Sequence, residues 1–218
     1  MLKEYKTVYE GGEGEYITKK SRFIATVRPV HSEEEALAFV DEMKKTYWNA
    51  THNCYAFVCG ENSLTQRMSD DGEPQGTAGV PMLEVLLKRD LHDVCVVVTR
   101  YFGGTLLGAG GLIRAYQEAT IRGLQESTVI TKKPGKLMCA HMDYTNLGKI
   151  QYILANAGAH VLSTDYAENV FIRYIAEEDI IKQVEKAITE ATSGSVQPEK
   201  EKDTYFASVK GEILLWDV

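Results

Sequence analysis

The apolar positions of the first thirty residues fall as they do in half-buried strands, through Tyr16, Ile17, Phe23, Ile24 and Val27, and the GGEG run at 11–14 reads as a hairpin turn. Ser32 and Glu35 then have the spacing of a capping box, in which each side chain satisfies a free backbone N–H of the other. Ala36, Val40, Met43 and Tyr47 follow on one helical face. Cys54 to Cys59 reads as a strand, and the polar segment after it ends in DDGEPQG at 70–76. Thr77 to Lys88 has helical spacing, with Pro81 tolerable in the first turn, where a missing N–H costs least. The unbroken apolar run Val94 to Val98 predicts a central strand buried on both faces. A glycine-rich loop at 103–111 leads from it into a helix whose Leu112, Tyr116, Ala119 and Gly123 share a face.

Lys132, Lys133, Pro134 and Gly135 read as a polar break, after which the periodicity restarts. Leu137 to Tyr144 predicts a strand, and Leu147, Ile150, Leu154 and Ala157 a helix stopped by Gly158. Val161 to Tyr166 and Val170 to Ile175 predict two strands. Ile180, Val184, Ala187 and Ala191 mark a second helix, with Glu177, Glu178 and Asp179 near its positive end. Tyr205 to Val209 supplies a last strand. The order βαββαβ is the ferredoxin-like one. The fold class is therefore α+β, with an N-terminal domain expected over 1–131 and a ferredoxin-like C-terminal domain over 136–218.

Composition narrows the function classes. A chain of 218 residues, 44% hydrophobic and 25% charged, is ordinary for a globular protein. It has no apolar run of roughly 18 residues and no apolar leader, so a cytoplasmic protein without membrane contact is expected. Cys54, Cys59, Cys95 and Cys139 form no CxxC knuckle and are read as reduced; neither a disulfide framework nor a metal site follows from them. The net charge of −7 excludes a surface that is basic throughout. Residues 1–134 hold 16 Lys+Arg against 18 Asp+Glu and the remainder 8 against 13, so a nucleic-acid patch is better sought in the first half.

Three segments could carry chemistry. Gly103, Gly104, Gly108, Gly110 and Gly111 let backbone N–H groups crowd toward a ligand ahead of a helix start, and Arg100 and Arg114 add charge, which together suit an anion. The loop lacks the Lys-Ser/Thr of a Walker A motif, and Ile113 stands where a dinucleotide fingerprint needs its third glycine. A tight, close-packed turn is the alternative. Tyr101 and Phe102 are either base-stacking groups or half core. Asp70, Asp71 and Glu73 either hold a hard cation or form a solvated turn around Gly72. His52, between Thr51 and Asn53, is either a general base oriented by Asp70 or Asp71 or a structural or binding residue. No cofactor is expected.

The runs WNATHNCYAFVCG, DDGEPQGTAGVPMLEVL and VVVTRYFGGTLLGAGGLIRAYQEA resemble successive blocks of the IMPACT/YigZ family, in its YvyE-like bacterial branch. The resemblance is strong over about 15–127 and weaker beyond Lys136. It implies an N-terminal α/β sandwich similar to the second domain of ribosomal protein S-five, and a C-terminal domain similar to those of elongation factor G. Eukaryotic members restrain a starvation-sensing kinase with an additional N-terminal domain, which is not expected in this chain. The resemblance thus implies a translation-associated regulator that binds RNA, the ribosome or a phosphate-bearing or protein partner through its N-terminal domain. The alternative is an enzyme acting on a small anionic or phosphorylated metabolite with His52 and Asp70 or Asp71.

Overall fold

The structure, a computed structural model, describes residues 4–60 and 65–217. The chain divides into a unit of Tyr5–Thr131 and a unit built on Lys132–Val218, an α+β architecture in two domains.

The first unit contains β1 (Tyr5–Glu10), β2 (Glu13–Thr18), β3 (Ser21–Pro29), α1 (Glu33–Thr46), β4 (His52–Cys59), β5 (Thr65–Ser69), α2 (Gly79–Lys88), β6 (Leu91–His92), β7 (Val94–Tyr101) and α3 (Ala109–Gln125). Five strands form an antiparallel sheet in the order β2-β3-β7-β4-β5. The apolar run of β7 is explained by its central place. Val94, Val96 and Val98 pack with Met82 and Leu86 of α2 and Ala115 and Tyr116 of α3, while Cys95 and Val97 face Ala36, Phe39, Val40 and Met43 of α1. Because side chains alternate along a strand, a helix layer on each face demands apolar residues at every position.

Ser32 caps α1 by accepting from Glu35 N–H at 3.2 Å, whereas the Glu35 carboxylate accepts from His31 N–H at 2.7 Å in place of Ser32's own. The GGEG run turns no hairpin. β1 pairs in parallel with β6, β2 pairs with β3, and the hairpin turn is Lys19-Lys20, with φ of 45° and 67°. Gly11 and Gly12 serve close approach instead, since a Cβ there would run into the backbone of Val27 and of Glu126.

The second unit contains most of β8 (Thr128–Met142), then α4 (Tyr144–Ala157), β9 (His160–Tyr166), β10 (Val170–Ala176), α5 (Glu178–Ala191), β11 (Glu199–Val209) and β12 (Glu212–Trp216). Its strands are ordered β12-β11-β8-β10-β9, all antiparallel. Residues 132–135 open the second unit but do not interrupt the secondary structure: they lie inside β8, with Pro134 opposite Tyr205 and Gly135 opposite Thr204 of β11. The polar residues that resemble a linker have packing partners. Lys133 pairs with Glu177 at 2.8 Å, Lys132 Nζ sits 4.6 Å from the Trp216 ring centre, and a Cβ on Gly135 would meet the Phe206 ring at 2.7 Å. Tyr144 opens α4 rather than ending a strand, because Asp143 accepts from Asn146 N–H and caps the helix. α5 buries Ile181, Val184 and Ile188, a face one residue away from that expected at Ile180 and Ala187.

Candidate functional site: a cleft at the start of α3

Arg100 stands near the end of β7, between Phe23 of β3 and His52 of β4, on the face that carries α2 and α3. Its side chain is buried, and Nη1 donates to Glu73 Oε1 at 2.5 Å. The Tyr116 hydroxyl of α3 donates to the same oxygen at 2.7 Å, and Glu73 Oε2 lies 3.9 Å from His52 Nε2. A buried carboxylate with two donors on one oxygen is held in place. Burial drives the Tyr116 phenol and the Cys54 thiol far above their ordinary pKa values, so both remain protonated and Cys54 is no nucleophile.

The acidic turn separates into three roles. Burial would raise the pKa of Asp70, but N–H groups of Gly76, Gly79 and Ala78 at 2.8–3.0 Å outweigh it and hold the carboxyl below its ordinary value. Asp70 thus secures the entry to α2. Asp71 accepts from Asn53 N–H at 2.7 Å and from Lys44 Nζ at 2.6 Å. Its carbonyl, which can only accept, receives His52 Nδ1–H at 2.8 Å, leaving Nε2 toward Glu73. The carboxylate facing His52 is therefore that of Glu73, and those of Asp70 and Asp71 are spent elsewhere. The expected His52–Asp70/Asp71 constellation is replaced by His52–Glu73.

The glycines divide in the same way. Gly103 is a packing glycine, because a Cβ would collide with the Lys20 backbone. Gly104 and Gly108 have φ of 83° and 70° with open space around them, and Gly108 is the N-cap of α3 without a side-chain cap. Gly110 is exposed, and a Cβ on Gly111 would touch Leu107 at 3.0 Å. A cleft of about 420 Å³ opens over the α3 start, with Glu73, Arg100 and His52 on its polar side and Phe102, Leu106 and Leu107 on its apolar side. Tyr101 bonds outward to Asn49 at 3.1 Å. Asn53 accepts from Thr99 Oγ1 at 2.8 Å and, like exposed Arg114, does not line the cleft. In the sequence Tyr116 reads as one more core position, and Leu106 and Leu107 stand out only as an apolar pair inside a glycine-rich loop.

Among the described residues no group of three or more His, Cys, Asp or Glu could hold a metal ion, and no helix is long and apolar enough to cross a membrane. Residues 19–124 match the Impact N-terminal domain, and residues 141–195 match a domain of unknown function, DUF1949. The IMPACT family member YvyE of Bacillus subtilis is 46% identical over 213 residues, 98% of each chain. This chain belongs to the IMPACT/YigZ family. YigZ of Escherichia coli is 34% identical, over 82% of this chain and 89% of its own. The crystal structure of a hypothetical protein, 30% identical, aligns with a TM-score of 0.59 over 93% of this chain and all (100%) of that one. The family model covers β3, β4, the acidic turn, β7 and α3, and so every element that lines the cleft of this IMPACT-family chain.

Proposed function

We propose that this IMPACT-family chain is a cytosolic, translation-associated regulator whose N-terminal unit binds RNA, the ribosome or another phosphate-bearing partner through the cleft at the start of α3. One juxtaposition carries the reading: the uncapped N-terminus of α3 and the buried Arg100 line one cleft. The N–H groups of Ala109 and Gly110 have no partner within the helix and stand at its positive end, where anions settle. Exposed Arg114 adds charge one turn further on. The strand order β11-β8-β10-β9 supports a ferredoxin-like reading of the second unit, similar to the C-terminal domains of elongation factor G. The likeness of the first to the second domain of ribosomal protein S-five rests on its match to the Impact N-terminal domain. Both likenesses bear on the translation setting by fold analogy alone.

Filter binding of a terminally phosphorylated single-stranded RNA at several salt concentrations tests the reading. Affinity should fall with salt, and Arg114→Glu should weaken it about tenfold. Affinity indifferent to both would overturn it. A second reading, an enzyme acting on a small phosphorylated metabolite, draws on His52 Nε2 facing Glu73 in the cleft. Turnover of a phosphorylated probe that His52→Asn abolishes would favour it, and turnover unaffected by His52→Asn would remove it.

A further inference from the structure

We infer that the cleft accepts a single nucleotide bearing a phosphate monoester, free or at a nucleic-acid end, with the phosphate at the start of α3 and the base against Phe102 and Leu106. This rests on the anion-site reading above and narrows its ligand.

The first observation is the balance of charge. A groove that tracks a nucleic-acid backbone presents a row of lysines and arginines. The cleft holds one arginine, Arg100, and Glu73 offsets it at 2.5 Å. Long-range attraction is weak, so binding depends on local donors. Arg100 is only 5% exposed, and its guanidinium carbon lies 5.6 Å from the centre of the Phe102 ring that borders the cleft. Among the described residues it donates one hydrogen bond, to Glu73, and its buried Nε–H has no partner. A guanidinium with unspent donors, lining the same cleft as Gly108 and Ala109 at the uncapped start of α3, suits the several oxygens of a monoester phosphate.

The second observation is the apolar rim. Leu106 is 83% and Phe102 46% exposed, and Leu107 and Leu112 continue the apolar side inward to the core. A bare phosphate leaves this surface wet. A nucleobase stacks on an aromatic ring and removes it from water, which supplies the affinity that the Arg100–Glu73 balance withholds. A volume of about 420 Å³ is at the small end of ligand pockets, roughly 300–1,000 Å³, and matches one nucleotide rather than a run of them.

Calorimetric titration of the full chain with adenosine monophosphate, adenosine, inorganic phosphate and a short RNA lacking terminal phosphates tests the inference. The monophosphate should bind about tenfold more tightly than adenosine or phosphate. Phe102→Ala should weaken the monophosphate and adenosine while leaving inorganic phosphate unchanged. Ala109→Pro deletes one N–H at a position where proline suits a helix, and should weaken monophosphate and phosphate alike by about fivefold. Phosphate binding as tightly as the monophosphate would overturn the inference. So would unphosphorylated RNA that the monophosphate does not displace, a result that leaves the RNA-binding reading standing. No binding of any of these probes, together with no binding of phosphorylated RNA, would overturn both.

Discussion

Arg100 and Glu73 form an ion pair of 2.5 Å with side chains only 6% and 3% exposed. The pair ties the end of β7 to the turn before α2, and the Tyr116 hydroxyl brings α3 to the same carboxylate. The side of the cleft that faces a ligand is thus also a structural junction.

Removing one member leaves the other buried and uncompensated. Glu73→Ala should cost about 3–5 kcal/mol in urea unfolding. Glu73→Gln, which keeps an acceptor for Tyr116, should cost less. The double variant with Arg100→Met should lose less than the sum of the single losses, and additive losses would contradict the pairing.

Asp70 gives the fold a pH dependence of known sign. Its folded pKa lies below the unfolded one, so its stabilisation is present above about pH 4 and is lost as pH falls through the lower, folded value. Asp70→Ala should lose about 2 kcal/mol at neutral pH. Its deficit against the parent should shrink in acid. A deficit constant from pH 7 to pH 2 would contradict the capping role.

The Lys19-Lys20 turn sets two side-chain-bearing residues at φ of 45° and 67°, where glycine is the easier occupant. Lys20→Gly should therefore raise the unfolding free energy by about 0.5–1 kcal/mol, read as a higher urea midpoint. A lowered midpoint would show that the side chain contributes more than the backbone conformation costs.

That turn also shows where the sequence is legible. Val94 to Val98 announces a strand between two helix layers, because only such a strand needs every position apolar. Ser32 and Gly158 mark helix ends through local bonding and a left-handed conformation that do not depend on distant residues. The GGEG run and the Lys132–Gly135 segment mislead for one reason: glycine both turns a chain and admits close approach, and only the packed neighbour distinguishes the two. Gly12 against Glu126 and Gly135 against Phe206 are tertiary facts.

At the site, the glycine loop and Arg100 are visible together because they are contiguous in the sequence, whereas His52 joins them only through the pairing of β4 with β7. The division of labour among Asp70, Asp71 and Glu73 is not visible. Three carboxylates in one turn look alike until their directions are known, and then Asp70 binds backbone, Asp71 binds Lys44, and Glu73 enters the cleft.

The central claim, that the α3 start accepts a phosphate-bearing ligand, is tested most directly by the backbone amide resonances of Ala109 and Gly110 during titration with adenosine monophosphate. Both should move, saturating at the calorimetric affinity, while amides of the second unit, such as Ile172, stay still. Saturable binding that leaves Ala109 and Gly110 unmoved would contradict it.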